Sequence, residues 1–365
     1  MRGSRRAVLG AALAGTGAAL GLARLADAAT TRRRVYLGSY TSEGGKGIGV
    51  GAIDEGTGKL SVDHWVGGVT DPSWLAMSPD GHTLYAVSET GPTGRVSALH
   101  LDSAGDPVLI GGQKTGAGPA HVQVHPTGTY AFTSNYDGGT VGVYPIRSGG
   151  SLGAATDTVK HPPGPAHPHQ VVVDPTGKWI LSVDLGVDSV YVYQLDASAG
   201  KLKQHARVRL RTGAGPRHLA FHPGGGYVYV ADETDSTVTI CAWKAGTLTP
   251  GTVVSTRPKP ASTVNNPGEI VVSADGRFVY VTNRGDNTIA VFVTAKGGAA
   301  LTLVASPACG GKEPRHLAID PGGRWLYVAN QHSNQVVWFA LEPSTGLPRR
   351  AGAVSVPAVS QVLVV

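Results

Sequence analysis

An eleven-residue pattern recurs six times along the chain and constrains the fold more than any other feature of the sequence. Each copy has proline in its second position, an apolar run in its middle and glycine at its end. The six final glycines are 47, 49, 48, 51 and 47 residues apart. A repeat of this length indicates one supersecondary unit per copy, packed against its neighbours. The copies occupy residues 71–81, 118–128, 167–177, 215–225, 266–276 and 313–323.

The repeat at residues 215–256 illustrates the secondary structure predicted for each unit. Its alternating apolar runs predict strands at residues 218–222, 227–231, 236–243 and 249–256, separated by short glycine-containing or polar segments. The 52 glycines and 24 prolines of the chain suit a fold with many tight turns. Four antiparallel strands in 40–50 residues are typical of a β-propeller blade.

The number of blades follows from the length of the chain. Without residues 1–28 the chain has 365 − 28 = 337 residues, which is close to seven units of about 48. Six units are complete, and the seventh is predicted to combine residues 356–365 as its first strand with residues 35–41 and 47–54. Such a closure removes the free edges of a linear array. The prediction is an all-β, seven-bladed propeller over residues 35–365, with the last blade closed by the N- and C-terminal strands.

The N-terminal residues are typical of a targeting segment. Arg5-Arg6 precedes an Ala-, Gly- and Leu-rich stretch, and Ala26-Asp27-Ala28 offers a small-x-small cleavage site. We predict a twin-arginine export signal over residues 1–28, a short basic linker over residues 29–34, and an extracellular or cell-envelope location. Retention of the segment as an anchor is the alternative. After cleavage we expect no stable membrane insertion.

Charge and cysteine content narrow the possible partners. The formal net charge is +6, and loss of four arginines and one aspartate with residues 1–28 reduces it to +3. This excess is too small and dispersed to indicate nucleic-acid binding. The two cysteines, Cys241 and Cys309, do not make a disulfide framework, and we expect two free thiols. The expected form is a monomer, although the sequence does not determine the oligomeric state.

Polar residues cluster where first strands begin and second strands end, positions that meet at one mouth of the central channel. At the beginnings of first strands lie Trp74, His121, His167, His169, Arg217, His218, Glu269, Arg315 and His316. At the ends of second strands lie Tyr40, Glu89, Asn135, Tyr136, Asp184, Glu233, Asn283, Arg284, Asn330 and Gln331. We call this set the polar rim. It suits a small anionic ligand, although any single member can instead be structural.

Several rim segments resemble the lactonase and 3-carboxymuconate cyclase family of propellers. They are Tyr36–Thr41, Pro168-His-Gln170 with Asp184-Leu-Gly186, Gly215-Pro-Arg-His218 with Ala231-Asp-Glu233, and Glu269 with Asn283-Arg284. The similarity covers residues 35–365, and the motifs follow in the family's order. The resemblance implies a catalytic set of His169, Arg217, Glu233 and Arg284. Around it we expect substrate-binding residues at His121, Tyr136, His167, Asp184, His218, Glu269 and Arg315.

These residue types suit hydrolysis of a lactone, which is a cyclic ester. A base must activate water and donors must stabilise the developing oxyanion. Glu233 or His169 is the candidate base, and Arg217 and Arg284 can hold an anionic group or polarise the carbonyl. If the imidazole carries the proton, activity should titrate near neutral pH. The rim carboxylates are few and mixed with arginine, which argues against a divalent metal, and no cofactor is expected.

The expected function is therefore metal-independent hydrolysis of a sugar-type or other acidic lactone, with a small anionic lactone or organic acid as partner. Two alternatives remain open. The same residues suit the reverse type of chemistry, a muconate-type lactonising cycloisomerase. A propeller can also be a non-catalytic envelope protein that binds a ligand or another protein.

Overall fold

Short apolar runs joined by tight turns form antiparallel hairpins throughout the computed structural model, which describes residues 31–162 and 164–365. The predicted export signal, residues 1–28, lies outside the described residues. The glycine that ends each of the six repeats has φ between 68° and 77°. This left-handed conformation strains residues with a Cβ, and it explains why the turn between the first and second strands always ends in glycine.

The described residues form 28 strands and four short 3₁₀ helices. The strands are β1 (Arg32–Ser39), β2 (Ile48–Asp54), β3 (Leu60–Val66), β4 (Leu75–Met77), β5 (Thr83–Ser88), β6 (Arg95–Leu101), β7 (Pro107–Lys114), β8 (Pro119–Val124), β9 (Tyr130–Asn135), β10 (Thr140–Pro145), β11 (Asp157–Lys160), β12 (Pro168–Val173), β13 (Ile180–Asp184), β14 (Ser189–Asp196), β15 (Lys201–Arg209), β16 (Pro216–Phe221), β17 (Tyr227–Asp232), β18 (Thr237–Lys244), β19 (Thr247–Ser255), β20 (Asn266–Val272), β21 (Phe278–Arg284), β22 (Thr288–Ala295), β23 (Ala300–Ala305), β24 (Pro314–Ile319), β25 (Trp325–Asn330), β26 (Gln335–Leu341), β27 (Pro348–Ser355) and β28 (Val359–Val364). The 3₁₀ helices are Thr41–Glu43, Ser148–Gly150, Lys296–Gly298 and Gln331–Ser333.

These strands form seven four-stranded sheets, the predicted blades. Blades 1 to 6 take consecutive strands, from β4–β7 to β24–β27, and blade 7 has the order β28-β1-β2-β3. The predicted closure is therefore confirmed, with Tyr36 of β1 opposite Leu363 of β28. The first strand of every blade contacts the first strands of both neighbouring blades, which closes the ring around a central channel.

The hydrophobic core is divided into seven clusters, and each cluster lies between two neighbouring blades. Second-strand tyrosines join the blades further, because their hydroxyl groups donate to backbone carbonyls of a turn in the adjacent blade. Tyr229 donates to Gly298 and Tyr327 to Gly58, at 2.8 and 2.9 Å. Both cysteines are buried and free. They cannot pair, since Cys241 lies between blades 3 and 4 whereas Cys309 lies between blades 5 and 6.

The predicted linker over residues 29–34 is corrected in part. The first strand begins at Arg32, so that Arg32, Arg33 and Arg34 pair with β2 instead of preceding the sheet. These basic residues are compatible with a strand because they have polar partners. For example, Arg33 forms an ion pair with Glu55 at 2.7 Å. Within residues 31–162 and 164–365, no helix has both the length and the apolar character needed to cross a membrane.

Candidate active site

A repeated β-bulge places key side chains of the polar rim. In blades 2 to 6 the pairing of the first two strands shifts directly after the first-strand proline. The residue in the bulge is His169 in blade 3, Arg217 in blade 4 and Arg315 in blade 6. A bulge redirects the side chain of its extra residue. The three residues therefore occupy equivalent places around one channel mouth.

Two arginines share one carboxylate at this mouth. Glu233 follows β17 in blade 4, and its Oε2 lies 2.6 Å from Nη2 of Arg284 and 3.2 Å from Nε of Arg217. The backbone fixes both guanidinium groups, because Arg217 Nη1 donates to the Gly268 carbonyl at 2.8 Å and Arg284 Nε to the Asn266 carbonyl at 3.0 Å. The two buried cations are thus held side by side by one partly exposed carboxylate and by backbone carbonyls.

Burial, together with the neighbouring Arg284 and Arg315, lowers the pKa of Arg217 to about 9. Arg217 therefore remains a cation at neutral pH. Arg315 forms a second cluster, in which its Nη2 lies 3.6 Å from Oε1 of Glu89 and its guanidinium lies over the Tyr40 ring. The Tyr40 hydroxyl donates to Glu89 at 2.6 Å. Each of these arginines therefore has a carboxylate partner within the protein.

Two imidazoles and a carboxylate form a hydrogen-bonded row beside the arginines. Nδ1 of His169 lies 3.1 Å from Nε2 of His218, and Nδ1 of His218 lies 3.0 Å from both carboxylate oxygens of Glu269. All three side chains are buried. Each residue comes from a different blade, since His169 lies in β12, His218 in β16 and Glu269 in β20.

Burial dominates the ionisation of this row. It holds the pKa of His169 and of His218 well below the usual 6.5, and the positive charge of Arg217 acts in the same direction. Burial raises the pKa of the Glu269 carboxyl, although His316 and Arg217 oppose this shift. His169 is therefore neutral at neutral pH. The expectation of a titration near neutral pH rests on the pKa of an exposed imidazole, and burial moves the expected titration of His169 to lower pH.

Aromatic side chains line the channel next to the row. The Trp74 ring lies 4.3 Å from the His121 ring and about equally far from His218 and His316, at 5.3 and 5.2 Å. On the other side, Tyr136 stacks on His167 with ring centroids 4.3 Å apart and meets the His169 ring edge at 5.7 Å. The candidate site therefore combines the Arg217 and Arg284 cations and the neutral imidazole of His169 with aromatic side chains.

The structure brings together most of the predicted site residues. Asp184 is an exception, because its carboxylate contacts other groups of the protein. Oδ2 of Asp184 accepts from Nδ1 of His161 at 2.5 Å, while Oδ1 accepts from backbone N–H groups of His167 and Gly186. The side chains of Asp184 and His161 are completely buried. The predicted substrate-binding role of Asp184 is therefore corrected. Its carboxylate holds the loops of blade 3 together, and its complete burial keeps it from contact with a ligand.

Two neighbours of the site, Glu313 and the rim residue His316, are not among the predicted site residues. Glu313 lies 3.8 Å from Nη1 of Arg284, and His316 lies 3.5 Å from Oε2 of Glu269. The repeat itself is the signal that locates them, since both belong to the sixth copy at positions equivalent to Gly215 and His218. The parts of the chain that the structure describes hold no group of three or more His, Cys, Asp or Glu side chains arranged to bind a metal ion.

Comparison with known proteins shows which molecules this chain is similar to. The family model described as "Lactonase, 7-bladed beta-propeller" matches residues 34–364. The 6-phosphogluconolactonase of Bacillus subtilis is 33% identical over 268 residues, which is 70% of this chain and 76% of the relative. That of Formosa agariphila is 30% identical over 288 residues, covering 74% and 81%. The solved periplasmic gluconolactonase of Pseudomonas aeruginosa superposes with a TM-score of 0.87 at 30% identity, covering 92% of this chain and 99% of that one.

Proposed function

This chain belongs to the lactonase family of seven-bladed β-propellers, and we propose that it hydrolyses a small lactone at the polar rim. One observation carries the proposal more than any other. Arg217 and Arg284 are held together on Glu233 in the same channel mouth as the neutral imidazole of His169. Ester hydrolysis requires this combination of a base with fixed donors for a developing negative charge.

In the proposed reaction His169 acts as the general base. Its Nε2 takes a proton from water while the water oxygen bonds to the lactone carbonyl carbon, and the carbonyl electron pair moves onto the carbonyl oxygen. Arg217 and Arg284 stabilise that oxyanion. When the oxyanion collapses, the ring C–O bond breaks and the ring oxygen receives the proton from His169. The product is an open-chain hydroxy acid, and no covalent intermediate forms.

His169 is preferred to Glu233 as the base for a geometric reason. Oε2 of Glu233 already faces two guanidinium groups, at 2.6 and 3.2 Å. That oxygen is occupied by the two arginines, whereas Nε2 of His169 has no protein partner among the described residues. The role proposed for Glu233 is to position the arginines, so that their remaining N–H groups face the substrate together.

The proposed substrate is a sugar-type lactone, and Arg315 is available for an acidic group on it. Two relatives are named 6-phosphogluconolactonase, whereas the Pseudomonas aeruginosa neighbour is a periplasmic gluconolactonase. The twin-arginine pattern in residues 1–28 supports an exported protein. An exported enzyme would meet unphosphorylated lactones more often than cytosolic sugar phosphates. Fractionation of producing cells, with and without residues 1–28, would test the location.

The experiment for the activity is a panel of lactones assayed by acid release. It should contain neutral sugar lactones, their phosphorylated forms and an unsaturated muconolactone, each with and without a chelator. We expect turnover on at least one sugar lactone that the chelator does not change. Turnover of the muconolactone alone would favour the cycloisomerase. Tight binding without turnover on any lactone would favour a binding protein, and loss of turnover with chelator would contradict a metal-independent mechanism.

A further inference from the structure

The row formed by His169, His218 and Glu269 differs from the other buried histidines with hydrogen-bonded rings. Both ring nitrogens of His222 have protein partners, the backbone N–H of Gly224 and the carbonyl of Gly276. The same is true of His161, whose partners are Asp184 and Tyr193. In the described residues, His169 has a protein partner for Nδ1 only. The atom at the end of the row, Nε2 of His169 at the mouth of the channel, therefore has no protein partner among the described residues.

Hydrogen-bond roles along the row fix which nitrogen of each ring carries its proton. The Glu269 carboxylate only accepts, so Nδ1 of His218 must be the N–H that donates to it. A neutral imidazole has a single N–H, which leaves Nε2 of His218 as an acceptor. Nδ1 of His169 must then donate to His218. The lone pair of His169 consequently lies on Nε2, the nitrogen without a protein partner.

We propose that Glu269 and His218 are positioning residues that hold His169 in the Nδ1–H tautomer, with Nε2 free to accept a proton. Glu269 also places a negative charge behind the ring that becomes positive when His169 accepts the proton. This inference rests on the proposed function, because it assigns the support of its base. Fixing the tautomer of a catalytic imidazole through a buried carboxylate is an effective device in other hydrolases. Here a second imidazole carries the effect from one blade to the next.

The surroundings explain why His169 needs that support. Arg217, Arg284 and Arg315 all disfavour its protonation, as does burial. Tyr136 meets one edge of the ring, and His218 lies behind it. His218 in turn faces Glu269, His121 and Trp74. Among these groups only the Glu269 carboxylate, which also faces His316, carries the negative charge that stabilises an imidazolium.

Glu269→Gln is a sharp test because the backbone sets the orientation of the new amide. Oε1 of Glu269 accepts from the Ile270 N–H at 3.1 Å, so the glutamine oxygen should take that place. Its NH₂ group then takes the place of Oε2, 3.0 Å from Nδ1 of His218, where it sets an N–H donor against the N–H of His218, and the negative charge behind the row is lost. Both effects disfavour the Nδ1–H form of His218 and therefore that of His169. We expect kcat to fall about 100-fold with KM changed less than about threefold. The acid limb of any residual activity should move to lower pH.

Asp174→Asn is the matched control. Asp174 is a buried carboxylate at the opposite end of its blade, and it accepts from the Thr176 hydroxyl and the backbone N–H groups of Lys178 and Trp179. Removing its charge should lower the melting temperature but leave kcat and the pH profile unchanged. His218→Gln provides a second break in the row should Glu269→Gln fold poorly.

Nitrogen NMR of the ¹⁵N-histidine-labelled full chain reads the tautomer without any substrate, with the His169 signals assigned by loss in His169→Gln. An Nδ1–H tautomer in the wild type whose population falls in Glu269→Gln would support the proposal. An Nε2–H tautomer in the wild type would overturn it, as would a Glu269→Gln enzyme with the kcat and pH profile of Asp174→Asn. Absence of lactone turnover together with the Nδ1–H tautomer would refute hydrolysis while supporting the row, so the two failures are distinguishable.

Discussion

Glu233→Gln separates the two roles that the sequence leaves open for this residue. Glutamine keeps the length of the side chain and one acceptor oxygen, but it removes the negative charge between Arg217 and Arg284. If Glu233 is the general base, the variant loses the proton acceptor. If Glu233 positions the arginines, as proposed, the variant only weakens the contacts that hold them.

The contacts of Glu233 indicate how far activity should fall if this residue only positions the arginines. Oε2 of Glu233 makes two charged contacts, at 2.6 Å to Arg284 and 3.2 Å to Arg217. These contacts are ion pairs to a partly exposed carboxylate, and such a pair contributes about 1 kcal/mol. Losing both ion pairs costs about 2 kcal/mol, which corresponds to about a 30-fold fall in kcat/KM. Loss of a general base would instead lower kcat by about 100- to 10,000-fold.

The assay is steady-state acid release on the best lactone between pH 4 and 9, with the melting temperature as a control for folding. We expect about a 30-fold fall in kcat/KM, shared between kcat and KM, and a pH profile with the wild-type shape. A loss confined to kcat, larger than about 100-fold and accompanied by disappearance of the acid limb, would show that Glu233 is the base. That result would refute the assignment of His169.

Three further predictions follow from ionisation and from the ring closure. The kcat/KM of the wild type should be constant from pH 8 down through 6.5 and fall only well below it, because burial lowers the pKa of His169; an acid limb at 6.5 or above would contradict this. The free energy of unfolding should decrease as pH falls below 6.5, because buried His316, with its pKa lowered to about 4, binds a proton more readily when unfolded; a melting temperature constant from pH 7 to 4 would refute it. Deletion of residues 358–365 should give an aggregating chain, since it exposes the edge of β1 and removes buried Val359 and Val362; a soluble truncated chain with unchanged melting temperature would argue against closure by β28.

The fold could be predicted from the sequence because each blade repeats the same local rules. Glycine at the turn, proline at the start of the first strand and alternating apolar residues recur at one spacing. A repeated unit of four strands leaves few architectures, and the terminal half-units require closure. The start of β1 was placed too late because Arg32–Arg34 lack the apolar alternation of a strand. Their pairing depends on β2 and Glu55, which a local pattern does not contain.

The clustering of the rim residues could be predicted from the sequence, whereas their contacts could not. Topology alone brings the beginnings of first strands and the ends of second strands to one mouth. The bulges are invisible in the repeat, because Ser73 of blade 1, where the pairing of the first two strands does not shift, aligns with His169 and Arg315 of blades where it does. The bulge decides that His169 meets His218 across the blade boundary. The pKa of His169 depends on burial and on arginines of other blades, which lie far away in sequence.

Asp184 and Glu269 show why a histidine–carboxylate pair does not by itself mark an active site. Both carboxylates are buried, and each accepts a hydrogen bond from Nδ1 of a histidine, His161 at 2.5 Å and His218 at 3.0 Å. The two pairs differ in what the second ring nitrogen contacts. For His161 it is the hydroxyl of Tyr193, which ends the network inside the protein. For His218 it is another imidazole, which carries the orientation on to the channel mouth. The chemical role is therefore decided one contact beyond the pair, and that contact is set by how neighbouring blades pack.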